Sequence, residues 1–565
     1  MKIRFCGAAD GVTGSCHLIE TDRYKFLLDC GLFQGGRKSE ERNRVPFPFN
    51  PSEIDFVLLS HAHADHCGRL PLLVKQGFRS QIYCTDATAD LADIILRDSA
   101  YINQREVEYR NKKNHRLGRK LEEPVYTIND AIEAVKYLSP VFYGQKKEIR
   151  DGITVRFNEA GHMLGSSILE IWIDETGKDG KIETTKIVFS GDLGTTGRPI
   201  LRDPEQIREA DAVIMETTYG DRVHPPAASG IRELSEAVQK TIKRGGTVVI
   251  PAFAVGRTQD VLYYFNRLYS NDPDFAKTMK DIRVYVDSPM AEAATEVFKK
   301  NAQDYDEEAR DMLMEGKNPI SFENLVFVKD VFESQALNHD SRPKVIISAS
   351  GMCEAGRIKH HLKHNLWDSR NSVIFVGYQA AGTLGRLIVD GERDIRIFGE
   401  PIHIAAEIFN LRGFSGHADR EGLFRWITSF NPVPGKIFLV HGEQESKKAF
   451  AEYLEKKAGI KPIAVMEESS ADLSEGRGLR RVSPDKRSEK LDELISLREK
   501  LVKIHHGLEH ILYTTTLAAD ENMTSDRISE IDEIISNLEK DTLNLGSAVT
   551  DFGEPEAYQA GEEPK

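Results

Sequence analysis

Leu58-Leu59-Ser60-His61-Ala62-His63-Ala64-Asp65-His66-Cys67-Gly68 is the stretch that decides how this chain reads. It continues Asp55-Phe56-Val57, so an apolar strand runs into a polar turn. The turn offers His61, His63, Asp65 and His66 within six residues. Neutral imidazole and carboxylate are the donors that zinc accepts at about 2.0–2.2 Å. The i, i+2 spacing of His61 and His63 suits an extended backbone that sends both rings to one side. Asp65 and His66, past the bend, can face a second ion. A metal centre is therefore expected here.

Composition sets the frame. With 565 residues the chain is too long for one simple core, and two or three domains are expected. It begins as a strand, Met1-Lys2-Ile3-Arg4-Phe5-Cys6-Gly7, and has no apolar run of about 18 residues. No signal peptide or membrane contact is expected. The six cysteines are scattered without a Cys-x-x-Cys pair, as free thiols in a reducing cytoplasm would be. A net charge of −14 argues against a protein that coats nucleic acid indiscriminately, but leaves room for a local basic groove.

The pattern His61-x-His63-x-Asp65-His66 resembles the metallo-β-lactamase superfamily. That resemblance implies an αββα sandwich, two metals and a water activated between them. It also requires further ligands at later strand ends, and the chain supplies them. Lys25-Phe26-Leu27-Leu28-Asp29 ends in a carboxylate suited to orienting a metal-bound histidine. Ile153-Thr154-Val155-Arg156-Phe157 leads to Gly161-His162, and Lys186-Ile187-Val188-Phe189-Ser190-Gly191 leads to Asp192. The family's later motifs match His162, which would join His61 and His63, and Asp192, which would bridge the ions. Residues 86–137 read as helical, with Arg105, Arg110, Lys112, Lys113, Arg116, Arg119 and Lys120 either on a solvated face or on a rim that meets phosphates.

A simple hydrolase of this kind would soon close. Instead Ala212-Val213-Ile214-Met215-Glu216 is followed by strands at Thr247-Val248-Val249-Ile250, Arg283-Val284-Tyr285-Val286, Lys344-Val345-Ile346-Ile347 and Ser372-Val373-Ile374-Phe375. Helical spacers between them imply a parallel sheet with crossovers. The chain then returns through Phe414-Ser415-Gly416-His417-Ala418-Asp419 and Lys436-Ile437-Phe438-Leu439-Val440-His441. Glu216, His417 and His441 match motifs A, B and C of the β-CASP branch, nucleases that cap the lactamase fold with an inserted domain. The resemblance covers roughly residues 1–470 and extends to ribonucleases related to the nuclease subunit of the mRNA 3′-end cleavage complex.

The expected architecture is α/β. Residues 1–211 and 411–475 form the lactamase sandwich, 212–410 the inserted parallel-sheet domain, and 484–565 a helical extension with an acidic tail. Leu494, Leu497, Leu501, Ile504, Leu508 and Ile511 make the extension's apolar seam. A homodimer through the insertion or these helices is one expectation. The resemblance implies two Zn²⁺ per chain, one on His61, His63 and His162, the other on Asp65, His66 and His441, with Asp192 between. Catalytic roles fall to Asp65, Glu216 and His417, and Asp29 supports the ligands. Ser350, Gly351, Arg357 and Arg386, on Gly-rich turns, are candidate phosphate contacts.

The implied function is zinc-dependent hydrolysis of single-stranded RNA, with endonucleolytic and 5′-exonucleolytic modes both open. In the β-CASP branch a histidine at motif C goes with RNA, although DNA is the runner-up substrate. A small-molecule hydrolase would not need the insertion, and Ala64 stands where flavin-linked di-iron relatives carry an acid.

Overall fold

The computed structural model describes residues 1–481 except 36, 178–179, 226, 378, 381, 412, 467–468 and 474–478. The helical pair and acidic tail expected over 484–565, and one of the two expected dimer surfaces, lie outside the described residues. Among those described, no helix is long and apolar enough to cross a membrane.

Two sheets pack face to face. The first runs, edge to edge, through Leu479–Arg481, Ser469–Asp472, Lys2–Gly7, Cys16–Glu20, Lys25–Leu28, Phe56–Leu58, Ile82–Thr85 and Leu138–Val141. The second runs through Ile463–Ala464, Lys436–Val440, Ala212–Glu216, Ile182–Phe189, Ser167–Thr176, Ile153–Glu159 and Lys147–Arg150. The period of two along each strand sorts side chains between layers. Phe26, Leu28, Phe56 and Leu58 meet Phe157, Leu169, Ile187 and Phe189 between the sheets. Leu27 and Val57 point the other way, onto helical Leu70, Leu73, Leu91 and Leu96. Behind the second sheet, Val213, Met215 and Leu439 bury Leu423, Trp426, Phe450 and Leu454 of two helices. Strands covered on both faces read as unbroken apolar runs, as these do. The result is the expected αββα sandwich.

The inserted domain is a six-stranded sheet in the order Leu325–Phe327, Val284–Val286, Lys344–Ser348, Thr247–Pro251, Ser372–Phe375, Glu407–Asn410. Every neighbouring pair is parallel. Helices Arg257–Asn271, Pro289–Lys300, Val331–His339 and Ile358–Asn365 supply crossovers. The boundary expected at 212 is a strand too early. Ala212–Glu216 pairs in parallel with Ile182–Phe189 and with Lys436–Val440, inside the sandwich. A strand buried on both faces carries no mark of which sheet will accept it. The expected helical stretch 86–137 is two helices, Asp86–Arg116 and Ile128–Val135.

Candidate metal centre and its neighbouring acid

The strand Phe56–Leu58 stops short of His61, and His63 sits at the N-cap of the single-turn helix Ala64–Cys67. Beside it, strand Lys25–Leu28 delivers Asp29, whose N–H donates to Leu58 O at 3.0 Å. The buried Asp29 carboxylate accepts from Ser60 N (2.8 Å), Ser60 Oγ (2.9 Å) and Ser15 Oγ (3.1 Å). Its Oδ2 also lies 2.7 Å from His66 Nδ1. With Nδ1–H given to Asp29, the Nε2 lone pair of His66 is free to face inward. Gly31 lets this loop approach, since a Cβ there would lie 1.6 Å from Asp65 O.

Seven side chains converge on the turn. His61, His63, His162 and Asp192 place donor atoms within 4.8 Å of one another, and so do Asp65, His66 and His441. Asp192 Oδ2 is 3.5 Å from His61 Nε2, 3.6 Å from His162 Nε2 and 3.3 Å from His66 Nε2, while Oδ1 is 3.5 Å from His441 Nδ1. His441 Nε2 is 3.1 Å from His66 Nε2 and 3.6 Å from Asp65 Oδ2. His162 Nε2 is 3.1 Å from His63 Nδ1, and its Nδ1 donates to Gly416 O at 3.2 Å. Asp192 belongs to the first group and adjoins the second, and a third group joins Asp192 and His441 with Glu216.

Electrostatics make the cluster receptive to cations. Burial pushes the imidazoles of His61, His63 and His162 down, His63 to about 4, which leaves neutral rings with lone pairs. Burial also works against ionisation of Asp192, but His441, His66 and His417 outweigh it and hold the carboxyl well below its usual range. His66 is the exception: Asp192, Asp29 and Asp65 overcome its burial and raise it, so a cation must displace the proton on Nε2. Buried His61 Nε2 and Asp192 Oδ1 have no hydrogen-bond partner. A buried polar atom without a partner costs about 1–3 kcal/mol. A divalent ion among imidazole and carboxylate donors would satisfy both atoms.

Asp29 offers a direct check on this arrangement. Asp29→Asn is expected to weaken metal binding about 10- to 100-fold, as loss of such outer partners does. Metal titration of the folded variant measures it; unchanged affinity would remove Asp29 from the site.

One ring away stands a second pair. Buried Glu216 ends its strand, with Oε1 accepting from Leu193 N at 2.6 Å and Oε2 from Thr218 N at 3.1 Å. His417 Nδ1 lies 3.1 Å from Glu216 Oε1 and 3.9 Å from Asp192 Oδ2. Burial would lower this imidazole, but Glu216 and Asp192 raise it to about 9. Its side chain keeps 21% exposure, so an outer edge faces solvent. The segment after Asp192 fixes the backbone. Leu193 O accepts from Ala418 N at 2.7 Å, and Thr195 Oγ1 donates to His417 O at 2.7 Å. Gly194 permits this, since its Cβ would lie 1.9 Å from Gly161 O.

Several contributors carry no sequence signal. Arg198, only 8% exposed, donates through Nη1 to His162 O and through Nη2 to Asp260 Oδ2 at 2.7 Å. It thereby ties the turn holding His162 to the inserted helix Arg257–Asn271. Thr218 Oγ1 contacts His441 Nδ1 at 3.2 Å, and His224 Nε2 donates to His417 O at 3.2 Å. Lone loop residues such as these acquire meaning only from their neighbours in space.

The candidate phosphate contacts have partners inside the inserted domain. Arg357 gives Nη1 to Asp287 Oδ1 at 2.6 Å. Asp287 is fully buried and also bonds His361 Nε2 (2.6 Å) and Ser334 Oγ (2.5 Å). A carboxylate at that depth requires a counter-charge. Arg386 pairs with Asp390 at 2.8 Å, Ser350 Oγ accepts from Ala355 N at 3.4 Å, and Gly351 underlies Phe253.

Comparison with known proteins places this architecture. Three family models match: a metallo-β-lactamase superfamily domain at residues 18–179, a Beta-Casp domain at 258–388, and a Zn-dependent metallo-hydrolase RNA specificity domain at 401–465. "Ribonuclease TTHA0252" of Thermus thermophilus is 38% identical over 454 residues, 80% of this chain and 96% of the relative. "Transcription termination factor FttA" of Methanocaldococcus jannaschii is 32% identical, over 80% of this chain and 68% of its own length. An "RNase J-like protein" of the same organism is 30% identical, over 80% and 94%. With those similarities and its sandwich-plus-insert fold, the chain belongs to the β-CASP family of metal-dependent nucleases in the metallo-β-lactamase superfamily.

Proposed function

We propose that the protein is a two-zinc ribonuclease that hydrolyses phosphodiester bonds in single-stranded RNA. The observation that carries this reading is the shared carboxylate. Asp192 adjoins both donor sets and lies 3.9 Å from a histidine that Glu216 keeps protonated. His61, His63 and His162 would hold one ion, and Asp65, His66 and His441 the other. Such a pair of ions, when bound, supplies an activated water near neutral pH and positive charge opposite a phosphodiester.

The chain's own groups do the rest. Asp65, which burial would push up but His66 and His441 keep ionised, can accept a hydrogen bond from the attacking water and orient it. His417, with Nδ1 toward Glu216, has Nε2–H available to protonate the leaving oxygen. Glu216 stays fixed by Leu193 N and Thr218 N and holds the imidazolium in place. His61, His66 and Asp192 are at most 2% exposed, so the scissile phosphate must descend to them. A single strand can bend to do that, whereas paired strands hold their phosphates on the outside of a wide duplex. RNA as the polymer draws support from the relatives' names and from the RNA specificity description of residues 401–465.

The test uses zinc-loaded protein with single-stranded RNA and DNA of matched sequence, labelled at the 5′ end. Internal RNA fragments are the expected product. Mononucleotides released first would indicate a 5′-exonuclease. A chelator should abolish cleavage and added zinc restore it. Cleavage of DNA alone, or hydrolysis only of a thioester or lactam, would overturn the reading.

A further inference from the structure

The helix Asp86–Arg116 has a feature that the metal centre does not use. Between residues 105 and 120 the chain carries seven basic side chains against two acidic ones, within a protein of net charge −14. At 3.6 residues per turn, Tyr101, Arg105, Tyr109, Lys112, Lys113 and Arg116 fall within an arc of about 120° on this helix. That arc is opposite Ala100 and Val107, the buried positions of this half. Glu106 and Glu108 fall at its margins, and Glu108 pairs with Arg105 at 3.3 Å. Lys112, Lys113 and Arg116 have no acidic partner among the described residues. Tyr101 and Tyr109 are 49% and 77% exposed.

Arg105 lies over the Tyr101 ring at 5.3 Å and donates to its hydroxyl at 3.3 Å, whereas Tyr109, at 77% exposure, presents a ring that a solvated helix face has no use for. Alternating cations and aromatic faces match a single-stranded nucleic acid, whose phosphates take the charge and whose bases stack on the rings. The helix is also aimed. Its N-terminus is tied to the metal centre, because Thr85 Oγ1 and Thr88 Oγ1 each donate to Gly165 O at 2.7 Å, three residues beyond His162. From Thr85 the axis runs about 36 Å to Tyr109 at 1.5 Å per residue.

We propose that this stripe is a second RNA-binding site, anchoring the substrate strand tens of ångströms from the point of cleavage. The proposal rests on the ribonuclease reading above. It makes affinity depend on RNA length, since a strand too short to reach the stripe gains nothing from it.

The experiment compares wild type with a Lys112→Gln/Lys113→Gln/Arg116→Gln variant and with Tyr109→Ala, on long single-stranded RNA and on a tetranucleotide. These side chains are on the surface, so folding should be retained, and circular dichroism checks it. For long RNA the triple variant should flatten the slope of log affinity against log salt by about 2, at roughly 0.7 per lost phosphate contact. Tyr109→Ala should raise KM for long RNA about 5- to 100-fold, and Tyr109→Phe should restore it. Cleavage of the tetranucleotide should be unchanged in every variant. If long RNA shows wild-type KM and salt slope in all variants, the stripe is not an RNA anchor and serves another partner, such as an acidic protein. If wild type cuts neither RNA, the ribonuclease reading fails first and takes this proposal with it.

Discussion

His417→Ala is expected to lower kcat on RNA by about 10²- to 10⁴-fold, the usual contribution of a positioned acid, with KM and metal content little changed. The side chain is not among the seven clustered donors, so its loss leaves them intact. A substrate with a p-nitrophenolate leaving group needs no proton on departure. Its hydrolysis should survive the substitution, and a parallel loss on that substrate would exclude the acid role. The pH profile carries the same signature. Glu216 and Asp192 raise the imidazole to about 9 against its burial, so the required protonated form persists below that value and is lost as pH rises through it. Cations beside Asp192 would pull the value back down, which puts the alkaline limb at or below about pH 9. Glu216→Gln removes the nearer carboxylate charge and should shift that limb to lower pH, whereas His417→Ala should lack it.

Asp192→Asn is expected to have the larger effect on the metal centre itself. Its carboxylate lies within 3.6 Å of nitrogens of His61, His66, His162 and His441, and among the described residues it is the one acidic residue adjoining both of those donor sets. An amide there cannot bridge two cations and brings N–H donors toward lone pairs that should face metal. On the two-metal reading proposed above, metal content should fall to one ion or none per chain by elemental analysis. Activity should fall by more than the roughly 100-fold that loss of an outer partner can cost. Retention of two ions and near-normal turnover would remove Asp192 from the bridging position. Thermal unfolding of wild type and variant, each with and without zinc, separates this from a folding defect, since a ligand bound only by the native state raises its stability.

Part of this site is legible in the amino-acid sequence because it is local. A strand of apolar residues that ends in a turn presents its next side chains together. His61, His63, Asp65 and His66 therefore announce a metal cluster through spacing alone. The same logic marks His162, Asp192 and His441 as strand-end residues, and the runs at 247–251, 344–348 and 372–375 as a parallel insert.

Juxtaposition across the chain is decided by the tertiary structure. Glu216 and His417 are 201 residues apart, and they come to 3.1 Å because Ala212–Glu216 pairs beside Ile182–Phe189 while Leu193 and Thr195, just past that strand, hold the backbone of His417 and Ala418. Asp29 and His66 meet because the strands that precede them, Lys25–Leu28 and Phe56–Leu58, pair in parallel, and both Asp29 and His441 hold left-handed backbone, with φ of 59° and 47°. Such conformations cost of order 1–3 kcal/mol and persist only where surrounding contacts over-determine them. Arg198 and His224 are invisible in the sequence for the same reason. A side chain's partner depends on which sheets close over it, whereas sequence periodicity records only which face of its own strand or helix it occupies.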